Sequence, residues 1–206
     1  MKKIGKIKNI TIVIKQGNIA FENVECIVVP EFKSCSSPKG VGASIKKAGM
    51  EEGLKAYDMA TKEKPLTDGE EMITPSGIVG VMLAHVATIE ANADEQFYIV
   101  TKAVLQTLIS ADALGAKTIA IPALGTGAVG TLTLEQSAKA IFAAVEHFKT
   151  VCNENTLQEV RLVINSGSTE PAEKVLDKRS YHNAKPEVGQ KEFDLYEWID
   201  EIRERM

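Results

Sequence analysis

"IPALGTGAVG", Ile121 to Gly130, sets three glycines at G-x-G-x-x-G spacing directly after the apolar run "TIAIPA". Glycines so placed leave backbone amides uncovered, which lets them approach phosphate. The spacing is that of a dinucleotide-binding loop, but its surroundings are not. A dinucleotide loop opens its helix inside the motif, and an acidic residue at the end of the next strand holds the ribose hydroxyls. Here the helix start signal falls at Thr133, beyond Gly130, and the next strand-like run ends in Asn165 and Ser166. No Lys-Ser/Thr pair follows the glycines, so it is not a Walker loop either. Two readings remain: a nest of amides at the carboxyl end of a buried strand, suited to an anion, or a turn shaped only for packing.

A second glycine stretch lies upstream. "PKGVGASIKKAG", Pro38 to Gly49, stands between the strand-like "CIVVP" and a helix beginning near Gly42. Two such loops, each following a buried strand of one parallel sheet, are expected to face one another at the sheet's carboxyl edge, where ligands of such sheets bind. Paired amide nests suit a diphosphate better than a single phosphate.

The rest of the chain supports that sheet. "KNITIVIK", "ECIVVPE", "EMITPSG", "VMLAHVATI", "KTIAIPAL" and "EVRLVINSG" read as strands, rich in β-branched or continuous apolar residues. Between them, "GASIKKAGMEEGLKAYDMATKE", "EQFYIVTKAVLQTLISADALGA", "TLEQSAKAIFAAVEHFKTV" and "EPAEKVLDKRSYH" carry helical spacing. Thr133 and Gln136 form a T-x-x-Q capping box at the start of the third of these. The alternation predicts a mainly parallel sheet with helices on both faces. "HNAKPEVGQ", His182 to Gln190, reads as a linker. "KEFDLYEWIDEIRERM" beyond it reads as an amphipathic helix with Phe193, Tyr196 and Ile199 on one side. The chain thus divides into a domain over 1–182 and a linker with a helix over 183–206.

Composition sets outer bounds. The 206 residues suffice for one sizeable core, and 44% hydrophobic and 25% charged residues are ordinary for a globular chain. A formal charge of -4 gives no overall basic field for nucleic acid. Cys26, Cys35 and Cys152 show no CxxC pairing, against both a disulfide framework and a zinc site, and point to a reducing cytoplasm. Lys6, Lys8 and Lys15 break any signal-peptide core at the start, and no run has the roughly 18 apolar residues of a membrane helix. His85, inside "VMLAHVATI", reads as a hydrogen-bonded core residue, and His147 and His182 have no partner at metal-ligand spacing. Cys35 lies in the loop before Pro38 with no feature that would activate its thiol. No metal and no cofactor is expected.

The order of these motifs resembles that of the macro domain, the ADP-ribose-binding module, over roughly Ile7 to Lys178. "GNIAFENVECIVV" is similar to the family's G-D-I-T segment and D-A-I-V-N strand, and "GVGASIKKAG" to its G-V-x-x-A-I-x-x-A-G loop and helix. "GEEMITPSG" is similar to its G-E-x-x-x-T stretch, "HVATI" to its following strand, and "IPALGTGAVG" to its second phosphate loop. The resemblance implies a three-layer α/β/α sandwich with a mixed, mainly parallel sheet of about six strands. It implies a small-molecule partner, ADP-ribose or a similar nucleotide. Gly40, Val41 and Gly42 would wrap the diphosphate from one side, and Gly125, Thr126, Gly127, Ala128, Val129 and Gly130 from the other.

This chain also departs from the family pattern. Asn18 stands where the family's Asp reads the adenine amino group, and its amide oxygen is expected to accept that bond without charge. Val29, Pro30, Glu31 and Phe32 replace the family's N-A-A-N tail, so Phe32 occupies the place of the Asn that binds the distal ribose; it either stacks on a ring or fills space. The triple glycine before G-V is Pro38, Lys39 and Gly40, the aromatic of G-x-Y-G is Val129, and Asn165 stands at the aromatic under adenine. These changes remove sugar and base contacts and leave both phosphate loops. No acid or base stands at a matching catalytic position. The leading expectation is a nucleotide binder with weak or no catalysis. The alternatives are an ADP-ribose-linked hydrolase using Glu31 in a rearranged site, and a non-binding scaffold that uses the C-terminal helix.

Overall fold

The computed structural model describes residues 2–89, 95–128, 130–152, 154–182 and 184. Seven strands and five helices alternate along it: β1 (Lys2–Ile7), β2 (Ile10–Gln16), β3 (Cys26–Glu31), α1 (Gly40–Lys47), α2 (Glu51–Glu63), β4 (Glu71–Pro75), β5 (Met82–Ala87), α3 (Gln96–Ala113), β6 (Thr118–Pro122), α4 (Leu134–Val151), β7 (Glu159–Ile164) and α5 (Glu170–Lys178). A 3-10 turn, Ile19–Phe21, follows β2. The strands form one sheet in the order β1-β2-β7-β6-β3-β5-β4. The inner run from β2 to β5 is parallel, and β1 and β4 close the edges antiparallel.

Strand alternation sorts the apolar residues onto two faces. On β3, Cys26 and Val28 join a core with α3, α4 and α5, whereas Ile27 and Val29 join a second core with Ile45 of α1 and Leu54 of α2. Helices therefore cover both faces, giving the three layers. Each fully buried Ile, Leu or Phe contributes about 1.5–3 kcal/mol of transfer free energy. The sequence expectation of a mainly parallel mixed sheet in an α/β/α sandwich is met.

Two details differ. The sheet has seven strands instead of about six, because the lysine-rich opening "KKIGKI" pairs with β2 through a turn in which Lys8 has φ 52. Lys2 and Lys6 lie exposed on this edge strand, and such charges discourage further pairing. The single long helix read after "GV" is two helices, broken at Ala48–Met50 where Gly49 turns to φ 84. The capping box at Thr133 and Gln136 is present in full. The segment over 183–206, apart from Ala184, lies outside the described residues. No helix among the described residues is long and apolar enough to cross a membrane.

Candidate functional site

Because β2, β7, β6, β3 and β5 run parallel, their carboxyl ends share one edge of the sheet. The two glycine loops leave neighbouring strands there: the first follows β3, the second β6, and adjacent strands lie about 4.8 Å apart. Asn18 follows β2 at the same edge, where Gly17 N–H donates to the Ile164 carbonyl at the end of β7 (3.0 Å), and Asn165 comes next after β7. One edge thus gathers both loops with Asn18 and Asn165.

The first loop, residues 32–39, is held by residues outside it. Tyr57 of α2 donates its hydroxyl to the Phe32 carbonyl (2.5 Å), and Leu66 N–H donates to the Lys33 carbonyl (2.9 Å). Asp58 accepts both the Ser36 N–H (2.5 Å) and its hydroxyl (3.0 Å). Ser37 N–H donates to Oε2 of Glu31. The loop then enters α1 at a tight approach: a Cβ on Gly42 would lie 2.0 Å from the Ser37 carbonyl oxygen. At the N-cap, Lys39 makes no side-chain capping bond. The first amides of a helix have no intrahelical acceptor, so α1 begins with open donors and the positive end of its dipole. Gly40 is exposed, Val41 half-buried and Gly42 buried.

Glu31 and His85 are wholly buried, and a chain of polar contacts links them under this loop. His85 lies with Nδ1 3.2 Å from Glu31 Oε1 and Nε2 2.8 Å from the Thr74 hydroxyl, which reaches the Gly53 carbonyl of α2 at 3.4 Å. Tyr57 stacks on the imidazole with centroids 4.6 Å apart. Burial pushes the Glu31 carboxyl up to about 8 and the His85 imidazole down to about 4. Burial thus favours the neutral form of both groups. One consistent arrangement follows: Glu31 Oε1–H donates to Nδ1, Nε2–H donates to Thr74, and Thr74 donates to Gly53, while Oε2 accepts the Ser37 amide.

The second loop is organised differently. Gly130 N–H donates to the Gly127 carbonyl (2.9 Å), and Leu132 N–H donates to the Gly125 carbonyl (3.0 Å). A Cβ on Gly130 would lie 2.0 Å from that same Gly125 oxygen. The Thr126 hydroxyl donates to the Ala123 carbonyl (2.7 Å). Buried Gln96 of α3 accepts Thr131 N–H (2.6 Å) and the Thr131 hydroxyl (2.7 Å), tying the far end of the loop to the body. Thr133 and Gln136 then close the start of α4. Thr126, Gly127 and Ala128 are exposed, and Val129 lies outside the described residues.

Asn18 is exposed, and its Oδ1 accepts the Ala20 N–H at 3.1 Å. Phe32, which the sequence left between stacking and filling, is half-buried. Burial raises the Cys26 thiol to about 12, and Cys35 is exposed. Among the described residues, no group of three His, Cys, Asp or Glu side chains is placed to hold a metal ion. A cleft of about 230 Å³ lies between the first loop and α2, lined by Ser36, Pro38, Gly42, Lys46 and Asp58; among the described residues it takes in none of the second loop. It is smaller than the roughly 300–1,000 Å³ usual for ligand pockets. His85 is the hydrogen-bonded core residue that the sequence predicts, and what sequence reasoning missed is its link to Glu31 and Thr74. A signal existed: Glu31 and His85 each interrupt an apolar run, and those runs are neighbouring strands.

Comparison with known proteins matches this arrangement. The model of the macro domain family matches residues 33–141. Uncharacterised proteins of Mycobacterium bovis and Mycobacterium tuberculosis are 31% identical over 134 residues, which is 65% of this chain and 35% of theirs. The chain therefore spans about a third of the length of these curated relatives. In fold it is similar to the Oceanobacillus iheyensis macrodomain with ADP, at TM-score 0.75 and 22% identity, covering 87% of this chain and 96% of that one. It is also similar to the Trypanosoma brucei macrodomain in complex with ADP-ribose, at TM-score 0.66 and 16% identity, covering 79% and 68%. With five motifs in family order, two glycine loops on neighbouring parallel strands and a family model spanning more than half its length, the chain belongs to the macro domain family.

Proposed function

We propose that this protein binds ADP-ribose or a related nucleotide diphosphate at the carboxyl edge of its sheet, without efficient catalysis. The observation that carries this reading is the departure of both glycine loops from adjacent parallel strands, with α1 left uncapped at the first of them. The amides of Gly40, Val41 and Gly42 offer donors and the helix dipole to one side of a diphosphate. The second loop supplies the other wall through Gly125, Thr126, Gly127, Ala128 and Gly130, with Gly130 N–H and the Thr126 hydroxyl serving its shape because they bond within it. Asn18 lies along the edge for the nucleoside. The ADP and ADP-ribose carried by the two fold neighbours support a ligand of this class.

Glu31 is the carboxylate nearest in sequence to the family's ribose-binding position, and it is enclosed and engaged by Ser37 and His85. A group so committed positions a loop and does not activate water. That favours binding over hydrolysis. Calorimetry with ADP-ribose, ADP and pyrophosphate tests the reading, with Kd for ADP-ribose expected on the order of 10–100 µM given the missing sugar contacts. Absence of binding to all of them at millimolar concentration overturns it, and release of ADP-ribose from a modified protein overturns its non-catalytic part.

A further inference from the structure

The side-chain amide of Asn18 has one oxygen and one nitrogen, and the fold decides which of them faces solvent. Its oxygen accepts the Ala20 N–H at 3.1 Å. A backbone N–H can pair only with an acceptor, so the NH2 group takes the outward place. Asn18 is exposed, so this group meets whatever lies along the edge. Its two hydrogens are donors, and neither can accept.

Phe21 supplies a second observation. It is 71% exposed, an unusual position for a phenylalanine, and its N–H bonds to the Asn18 carbonyl at 3.1 Å. Residues three apart in a 3-10 turn lie on the same face. An uncovered aromatic ring and an outward amide NH2 therefore belong to one short turn, which leaves β2 at the edge that holds both glycine loops. This is the pairing that recognises a flat heterocycle: a face to stack on and a polar group for its rim.

We propose that Asn18 and Phe21 make this site select nucleotides whose base presents a carbonyl, a 6-oxopurine in place of a 6-aminopurine. The inference rests on the nucleotide-binding reading above. A 6-oxopurine offers O6 and N7, two adjacent acceptors, to the two amide hydrogens. Adenine offers N7 beside an amino donor, which opposes the Asn18 NH2. The usual pairing of asparagine with adenine uses the amide oxygen as well as the nitrogen, and here that oxygen is turned toward the Ala20 N–H.

Calorimetry of the full chain with IDP, ADP and pyrophosphate provides the test, because the two nucleotides carry the same diphosphate. Wild-type protein is expected to bind IDP about tenfold more tightly than ADP. Asn18→Asp keeps an oxygen for Ala20 and places an acceptor outward, so it should reverse the preference toward ADP. Phe21→Ala should weaken both nucleotides about tenfold and leave pyrophosphate unchanged. Equal affinities, an ADP preference in the wild type, or a ratio unmoved by Asn18→Asp would overturn the inference and leave the diphosphate reading standing. Pyrophosphate binding as tightly as either nucleotide would do the same. Failure of all three ligands to bind would remove both.

Discussion

The two glycine loops look interchangeable in sequence and are built on opposite plans. Each brings a glycine against a carbonyl five residues upstream, Gly42 on Ser37 and Gly130 on Gly125, both at a notional Cβ distance of 2.0 Å. Beyond that likeness they diverge. The first loop is tied down by Glu31, Asp58 and Tyr57 and opens into a helix with no side-chain cap. The second is tied mainly to itself and to Gln96, and it opens into a helix sealed by a capping box. Rigidity comes from outside the first loop and from inside the second. The first can therefore give its helix-end amides to a ligand, whereas the second has only loop amides to give.

The largest effect should come from testing the shared feature. Gly42→Ala places a methyl where the Ser37 oxygen stands, and Ser37 cannot retreat while Glu31 holds its amide. The cost should be on the order of 3 kcal/mol in urea unfolding, with ADP-ribose binding lost. Gly130→Ala brings its methyl against more backbone, 2.0 Å from the Gly125 oxygen, 2.3 Å from the Gly125 carbonyl carbon and 2.9 Å from the Thr126 nitrogen, but Thr126 to Ala128 are exposed and can move outward. A smaller cost of about 1–2 kcal/mol is expected. Equal losses at the two positions would erase the distinction between an anchored loop and a self-supported one.

The anchor itself is open to a pH test. Glu31 has its folded pKa raised from 4.5 to about 8, so its contribution to stability is full below 4.5 and lost as pH rises through about 8. His85 has its folded pKa lowered from 6.5 to about 4, so its contribution is full above 6.5 and lost as pH falls through about 4. Between 4.5 and 6.5 the two trends oppose each other, which predicts a plateau in Tm there and a decline from 6.5 toward 8. In Glu31→Gln, the amide oxygen accepts the Ser37 N–H and the NH2 donates to His85, copying the neutral carboxyl. This variant should stay within about 1 kcal/mol of wild type near pH 6 and lose the alkaline decline. Glu31→Ala, which strands both partners, should cost about 2–3 kcal/mol. Thermal melts from pH 5 to 8.5 distinguish these cases. A Tm that does not fall between pH 6.5 and 8 would overturn the assignment of a protonated carboxyl to the anchor.

What sequence could show divides along the same line. The strand and helix alternation, both glycine loops and the Thr133–Gln136 box are local patterns, and each stands where its residues predict. The edge strand β1 was hidden because lysines at positions 2, 3 and 6 break the apolar pattern of "KKIGKI", when lysine is what an edge strand tolerates. Glu31 and His85 are 54 positions apart and meet only because β3 pairs with β5 in a register setting Val29 beside His85. No local pattern encodes that register. Asn18 taught the same lesson at one residue: its identity was plain, but which end of its amide faces outward depends on Ala20 N–H in a folded 3-10 turn. Donor placement is thus a property of folded backbone, legible only after the turn is known.

The smallest expected effects test whether the helix starts differ as the loops do. Thr133→Ala removes the acceptor for Gln136 N–H and should cost about 1 kcal/mol. Because the sealed start of α4 is not offered to the ligand, ADP-ribose affinity should change by less than about twofold. Lys39→Asp is the reverse experiment. The N-cap of α1 has extended backbone, φ -125 and ψ 174, the geometry from which an aspartate oxygen reaches the amides of the first turn. The variant should gain about 0.5–1 kcal/mol from the new cap and from charge at the positive helix end. It should also weaken ADP-ribose binding about tenfold or more, since the carboxylate takes the place of the phosphate. Stability and affinity would then move in opposite directions at α1 and independently at α4. If Thr133→Ala weakened binding as much as Lys39→Asp, both helix ends would have to face the diphosphate, and the second loop would need its own open donors.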